Sequence, residues 1–300
     1  MTIVIAGGSG FIGTQLSKKL LSLGHRVIVI DIHGPQFTHP ELFFIQCDIS
    51  TQPLPYDVLE KTDAIVNLAG RTIATKWNKK VMDEIRQSRI DSTRHIIETI
   101  KNTKNKPACF ITASAVGFYG DTRDTLCDEK CPQGEGYLAT VVAEWESVAQ
   151  EAAAYGVRTV CVRTAPVLGH GGFLTALTKT ARFGFLVKLK KKDFWMSWIH
   201  EDDIVATYLF ALETTTVQGV FNAVAPEAVP QSIFMKTLGK VLHRKVLGVI
   251  PSFIAKKIFG MFFEEITKSQ RIYPQRLEDK GFVFAHPTLK EALQSIYTKQ

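Results

Sequence analysis

Thr2 to Ala6 is a short, largely β-branched run that stops at glycines. The period then changes: between Phe11 and Leu23 the apolar positions Ile12, Leu16, Leu20 and Leu23 recur at helical spacing. Gly24 and His25 end that helix. Arg26 to Ile30 follows as a continuous apolar run, as expected of a parallel strand covered on both faces. Leu42 to Ile45, Ala64 to Leu68, Ala108 to Ala113 and Arg158 to Arg163 repeat the strand pattern, with helical stretches at Lys79 to Thr99 and Leu138 to Ala154. Alternating βα units predict an α/β fold with a Rossmann-type, doubly wound parallel sheet. After Arg163 the pattern loosens. Gly169 to Gly172 reads as loop, and Pro226, Pro230, Pro251, Pro274 and Pro287 punctuate short helices and strands. We therefore expect a nucleotide-binding domain over residues 1–165 and a smaller α+β lobe, carrying the substrate site, over 166–300. The boundary is diffuse, and the chain is free to cross between lobes. The amphipathic stretch Phe253 to Phe263 is expected in the core of that lobe, with a membrane-surface helix as the alternative.

Composition narrows the class. Three hundred residues with 45% hydrophobic and 22% charged side chains describe an ordinary globule and exclude disorder and low-complexity polymers. The net charge of +7 raises the question of a nucleic-acid or membrane partner. Residues 1–150 carry −1 and residues 151–300 carry +8, and half of that surplus is Lys188, Lys190, Lys191 and Lys192. A charge so local argues against nucleic acid. The lysine run reads either as a solvated hairpin or as a patch for the phosphates of a nucleotide-linked or CoA-like substrate. The five cysteines have no zinc-type spacing, so reduced thiols, no metal and a cytoplasmic location are expected. No signal peptide or membrane span is expected, and the state is monomer or homodimer.

Gly7, Gly10 and Gly13 lie between the first strand and the first helix. Such a turn lets backbone approach a pyrophosphate and leaves the helix N-terminus, with Phe11 and Ile12, facing the phosphates. Asp31 closes the second strand 18 residues after Gly13, where a carboxylate accepts hydrogen bonds from an adenosine ribose and repels a 2′-phosphate. NAD is thus the preferred cofactor, with NADP not excluded because Arg26 and His33 are close in sequence. Asp48 and Ile49 after the third strand suit the adenine, Leu68, Ala69 and Gly70 after the fourth suit close backbone approach, and Ser114 follows the fifth. All lie at the carboxyl ends of parallel strands, where ligands bind such sheets.

These residues, with Phe118-Tyr119-Gly120, Arg163 to Gly169 and Trp198 to Asp203, resemble the extended short-chain dehydrogenase/reductases of the NAD-dependent epimerase/dehydratase group. Lys76-Trp77, Ser88-Arg89, Trp145-Glu146, Pro274 to Leu277, Gly281-Phe282 and Leu289 to Leu293 make the chain similar, over essentially its whole length, to YfcH-like epimerase-family proteins with their C-terminal domain. The resemblance implies an NAD(P)-dependent oxidoreductase or nucleotide-sugar-epimerase-like enzyme. Its catalytic Ser/Thr, Tyr and Lys positions, however, read here as Ala115, Gly136 and Thr140.

The remaining catalytic candidates are Tyr137, Ser114 and His200, each with a structural alternative: packing, capping of a strand end and a satisfied histidine. Asp203 reads as a helix N-cap and Arg163 as structural. Lys76, Trp77 and Arg89 are candidates for binding a small, anionic substrate. The alternative function is a catalytically weakened NAD(P)-binding sensor or scaffold, for example a regulatory protein linked to cell division.

Overall fold

The computed structural model describes residues 1–189 and 192–297; Lys190 and Lys191 of the lysine run lie outside the described residues. Strands β1 (Thr2–Ala6), β2 (Arg26–Asp31), β3 (Leu42–Gln46), β4 (Ala64–Asn67), β5 (Cys109–Ala115), β6 (Arg158–Thr164) and β7 (Gly219–Ala223) form one sheet. Its order is β7-β6-β5-β4-β1-β2-β3, with every pair parallel. β1 pairs with β2 on one side and β4 on the other, so the chain connections diverge at this point and open a crevice beyond the strand ends.

The strands read as unbroken apolar runs because both faces are covered. Ile3 and Ile5 of β1 enter one core and Val4 and Ala6 the other, as a side-chain period of two requires. Helices α1 (Phe11–Ser22), α2 (Lys79–Asn102), α3 (Tyr137–Gln150) and α4 (Glu201–Glu213) supply the covering. Leu16, Leu20 and Leu21 of α1 and Ile204, Tyr208 and Leu212 of α4 fill the first core. Ile96, Ile97 and Ile100 of α2 and Ala149 of α3 fill the second. Each such aliphatic side chain contributes about 1.5–3 kcal/mol of burial free energy.

A third core, with Trp198, Phe234, Leu238, Leu293 and Ile296, belongs to the smaller C-terminal lobe. There Phe185–Lys188, which brings in the first lysine of the run, pairs in parallel with Lys245–Val249; the hairpin expected of the run falls on Lys190 and Lys191 and lies outside the described residues. One feature differs from the sequence reading. The helix Ser252–Phe259 buries only Ala255, and Phe253, Ile254 and Ile258 are exposed. The periodicity was that of an amphipathic helix, but its apolar side has no core beneath it. Phe262 and Phe263, just beyond, do pack inward. Among the described residues no helix is long and apolar enough to cross a membrane.

Candidate functional site

The glycines of the first turn are dictated by contact. Gly7 sits at φ +76°, and a Cβ there would lie 2.7 Å from Ala69 N and 2.8 Å from Leu68 O. A Cβ on Gly13 would fall 2.6 Å from Gly7 O. The turn therefore closes directly on the loop after β4, across the crevice between β1 and β4. Gly10 is the N-cap of α1, with no side-chain cap and no acidic residue in the first turn. The amides of Phe11, Ile12 and Gly13 begin a helix with no acidic residue in its first turn, a cradle suited to a pyrophosphate.

Asp31 turns its carboxylate toward this loop, accepting the Ser9 amide at 3.1 Å through Oδ2 and the Ile32 amide at 2.7 Å through Oδ1. Arg26 is directed elsewhere, donating to Glu41 at 2.9 Å and lying over the Phe43 ring. Asp48 accepts both the amide (3.0 Å) and hydroxyl (2.6 Å) of Ser50. The Ile49 side chain is buried in the core beside Ile30 and Leu54. Asn67 is fully buried; its Nδ2 donates to Thr93 (3.0 Å) and its Oδ1 accepts the Ala69 amide (3.1 Å), which curls the loop back toward Gly7. Arg89 backs Gly70, with Cγ 3.3 Å from the place of its missing Cβ. Its guanidinium donates to the carbonyls of Arg71 and Ile85, both at 3.0 Å, so it braces the loop. Burial brings Arg89 down to about 10, which leaves it cationic at neutral pH.

At the ends of β5 and β6 lies a buried polar network. The Ser114 hydroxyl donates to Glu146 Oε1 at 2.5 Å, and Arg163 clamps Glu146 with two bonds of 2.8 and 2.7 Å, both side chains about 5% exposed. Arg163 stacks on Phe118, 3.4 Å from its centroid, and donates to the Tyr119 hydroxyl at 2.9 Å. Tyr119 in turn donates to Asn222 Oδ1 on β7 at 2.7 Å. Burial pushes the Tyr119 phenol far above its ordinary value, so it stays neutral. Glu146 entered the sequence reading only as part of a motif. Its signal was available: it lies on the stripe of α3 that also carries Ala139, Val142 and Ala149, where a carboxylate demands a partner.

The other candidates separate from this network. Tyr137 opens α3, donates its hydroxyl to the Met82 carbonyl of α2 and packs edge-on against Trp77. Burial and then Asp83 raise its phenol, the opposite of what a tyrosinate needs. Trp77 is buried, stacked on Phe262 at 4.9 Å, its indole N–H donating to Ile73 O at 2.9 Å. It fastens the loop after β4 to the C-terminal segment, and Lys76 beside it is exposed. His200 caps α4, its Nδ1 accepting the Asp202 amide at 3.1 Å. The expected cap, Asp203, lies within the first turn and accepts the amides of Ala285 (2.7 Å) and His286 (3.0 Å), because the C-terminal loop packs there. No metal site was expected, yet His200, Asp202 and His286 each bring one ligand atom within 4.8 Å of the others. The three are engaged with one another, His286 Nε2 lying 3.3 Å from Asp202 Oδ2 and the two rings 3.8 Å apart.

Comparison with known proteins agrees with this fold. The family described as "NAD dependent epimerase/dehydratase family" matches residues 3–223, and a domain of unknown function, DUF1731, matches residues 250–296. The chain is 31% identical over 297 residues to the epimerase family protein YfhF of Bacillus subtilis (strain 168), covering 99% of this chain and 98% of that protein. The crystal structure of human epimerase family protein SDR39U1 (isoform 2) with NADPH superposes with a TM-score of 0.88 at 28% identity, each chain fully covered. A nucleoside-diphosphate sugar epimerase from Corynebacterium glutamicum gives a TM-score of 0.80 at 28% identity; all of this chain matches 59% of that one.

Proposed function

The chain belongs to the NAD dependent epimerase/dehydratase family, and from that premise we propose that it is an NAD-dependent oxidoreductase or epimerase-like enzyme acting on a small anionic substrate, of which a nucleoside-diphosphate sugar is the leading class. The observation that carries the reading is the closure of the Gly7 turn on Leu68 and Ala69, where a Cβ would strike backbone, beside an uncapped helix N-terminus. Gly10, Phe11, Ile12 and Gly13 would hold the pyrophosphate, Asp31 the adenosine ribose, Asp48 and Ile49 the adenine end, and Leu68, Ala69, Gly70 and Ser114 the remainder. When bound, the cofactor supplies a hydride acceptor or donor. SDR39U1 carries NADPH, but Asp31 and the engagement of Arg26 with Glu41 favour NAD here, since neither offers a partner to a 2′-phosphate.

Ser114 is the residue we assign to proton handling. Its hydrogen is directed to Glu146 at 2.5 Å, so its oxygen lone pairs remain to accept a hydrogen bond from a substrate or ribose hydroxyl, and Arg163 fixes the carboxylate. Lys76 would meet the substrate's negative charge at the rim. Five cysteines, an odd number without zinc-type spacing, suit a reducing compartment such as the cytoplasm.

A second reading, a nucleotide-binding sensor with little turnover, is favoured by one observation: the hydroxyls of Tyr137 and Tyr119 are both donated within the fold, and both phenols are raised. Incubation of the NADH- and NAD-loaded protein with sugar nucleotides and small carbonyl acids, followed by absorbance of the reduced cofactor and by chromatography for epimers, separates the two. Turnover abolished by Ser114→Ala supports the enzyme; cofactor binding with no product across the panel supports the sensor.

A further inference from the structure

Within one stretch of the C-terminal lobe, Leu247, Phe253, Ile254, Ile258 and Met261 all present large apolar side chains to solvent, Phe253 with 75% of its surface exposed. Phe253, Ile254 and Ile258 occupy one arc of the helix Ser252–Phe259, roughly 140° wide at about 100° per residue. Ala255, opposite Phe253, is the residue that seats the helix. Lys257 falls inside the apolar arc, and Lys256 is held aside by Glu264 at 3.0 Å. A lysine among Phe and Ile suits an interface, where its stem lies along the apolar face and its ammonium reaches headgroups.

The chain leading into this helix borders a groove of about 850 Å³ between the helix Gln231–Val241 and the strand Lys245–Val249. Lys188, Lys236, Lys240, His243, Arg244 and Lys245 line it, and among the described residues no carboxylate does. The carboxylate at its end, Asp193, is taken up by the amide and hydroxyl of Ser232. Ile250 donates its amide to Lys188 O at 2.9 Å, so the rim of the groove runs directly into Pro251 and the apolar helix. Here part of the positive surplus of the second half of the chain, Lys188 included, finds a location.

We propose that this lobe docks on an anionic lipid surface, with Phe253, Ile254 and Ile258 entering the headgroup layer and the Lys188–Lys236–Lys240–Lys245 groove taking lipid phosphates. A soluble polyanion would use the groove but leave three large apolar side chains in water. An eight-residue helix alone gives marginal membrane affinity, and a contiguous basic site is the second signal that makes such binding stable. This inference does not depend on the enzymatic reading.

The test is flotation of the full-length protein with phosphatidylcholine vesicles that contain or lack phosphatidylserine. Two surface variants, Phe253→Ser/Ile258→Ser and Lys236→Gln/Lys240→Gln, are compared after their melting temperatures are shown to match wild type. The expected result is binding only to the anionic vesicles, weakened about tenfold or more by either pair of substitutions and by raised salt. No association with anionic vesicles overturns the proposal. So does binding undiminished in Phe253→Ser/Ile258→Ser and matched by RNA or inorganic polyphosphate, which assigns the groove to a soluble polyanion. A concentration-dependent dimer lost in that same variant, without vesicle binding, assigns the helix to a second copy of the chain and overturns it too.

Discussion

Arg163 holds Glu146 through two hydrogen bonds of 2.8 and 2.7 Å in a place where neither side chain is more than about 5% exposed. Removing one partner leaves a buried charge alone. Glu146→Ala and Arg163→Ala are each expected to lower stability by about 3–5 kcal/mol in denaturant titrations. Replacing both by leucine should cost less than the sum of the two single changes, because no charge is then stranded. Additive losses would show that the pair is not coupled.

Gly7→Ala places a methyl 2.7 Å from Ala69 N at φ +76°. The loop after β4 must then move away from the first turn. The expected outcome is a folded protein with a lowered melting temperature and NADH affinity reduced about tenfold or more, since the strain falls on the cradle itself. Unchanged affinity would mean that the contact between the Gly7 turn and the Leu68–Ala69 loop does not shape the cofactor site.

Much of this cradle is legible from residue order alone. A period change from strand to helix at Gly7, followed by Asp31 at the end of the next strand, admits few folds, and the carboxyl-end rule then gathers Asp48, Leu68 and Ser114. What periodicity conveys is the existence of an apolar face, not what the face meets. Phe253, Ile254 and Ile258 look the same on paper whether they enter a core or face water, and only the packing of Ala255 reveals which. β7 escaped the pattern because Gly219–Ala223 arrives after a long excursion through the other lobe. Glu146 and Arg163 are 17 residues apart; the apolar stripe of α3 marks Glu146 as needing a partner, but which partner depends on α3 crossing the end of β6.

Thiol reactivity should distinguish one cysteine from four. Burial raises Cys109 to about 11 and Cys127 to about 12, pushes Cys161 higher and raises Cys47, and these four are buried. Cys131 is the partly exposed one. A bulky disulfide reagent at neutral pH is expected to label Cys131 in the native protein, with the other four reacting only on unfolding. Rapid native labelling of Cys109 or Cys161 would contradict the packing.

Asp203 sets a pH dependence. Burial raises its carboxyl above the ordinary value despite the opposing amides of Ala285 and His286. The folded state therefore holds a proton that the unfolded chain has released, over the interval between the unfolded value near 3.9 and the higher folded one. Its contribution is fully present below that interval and is lost as pH rises through the folded value. Asp203→Asn should flatten this part of the stability–pH curve while lowering stability overall, because the amide offers one acceptor oxygen to two N–H groups. An unchanged slope between wild type and variant would remove Asp203 as its source.

The most direct measurement is calorimetric titration of NADH and NADPH into wild-type protein and Asp31→Ala. The cradle predicts that wild type binds NADH about tenfold or more tightly than NADPH, because the Asp31 carboxylate accepts ribose hydroxyls and repels a 2′-phosphate, and that Asp31→Ala narrows the ratio mainly by admitting NADPH. Absence of binding by either dinucleotide, or a ratio indifferent to Asp31→Ala, would contradict the account.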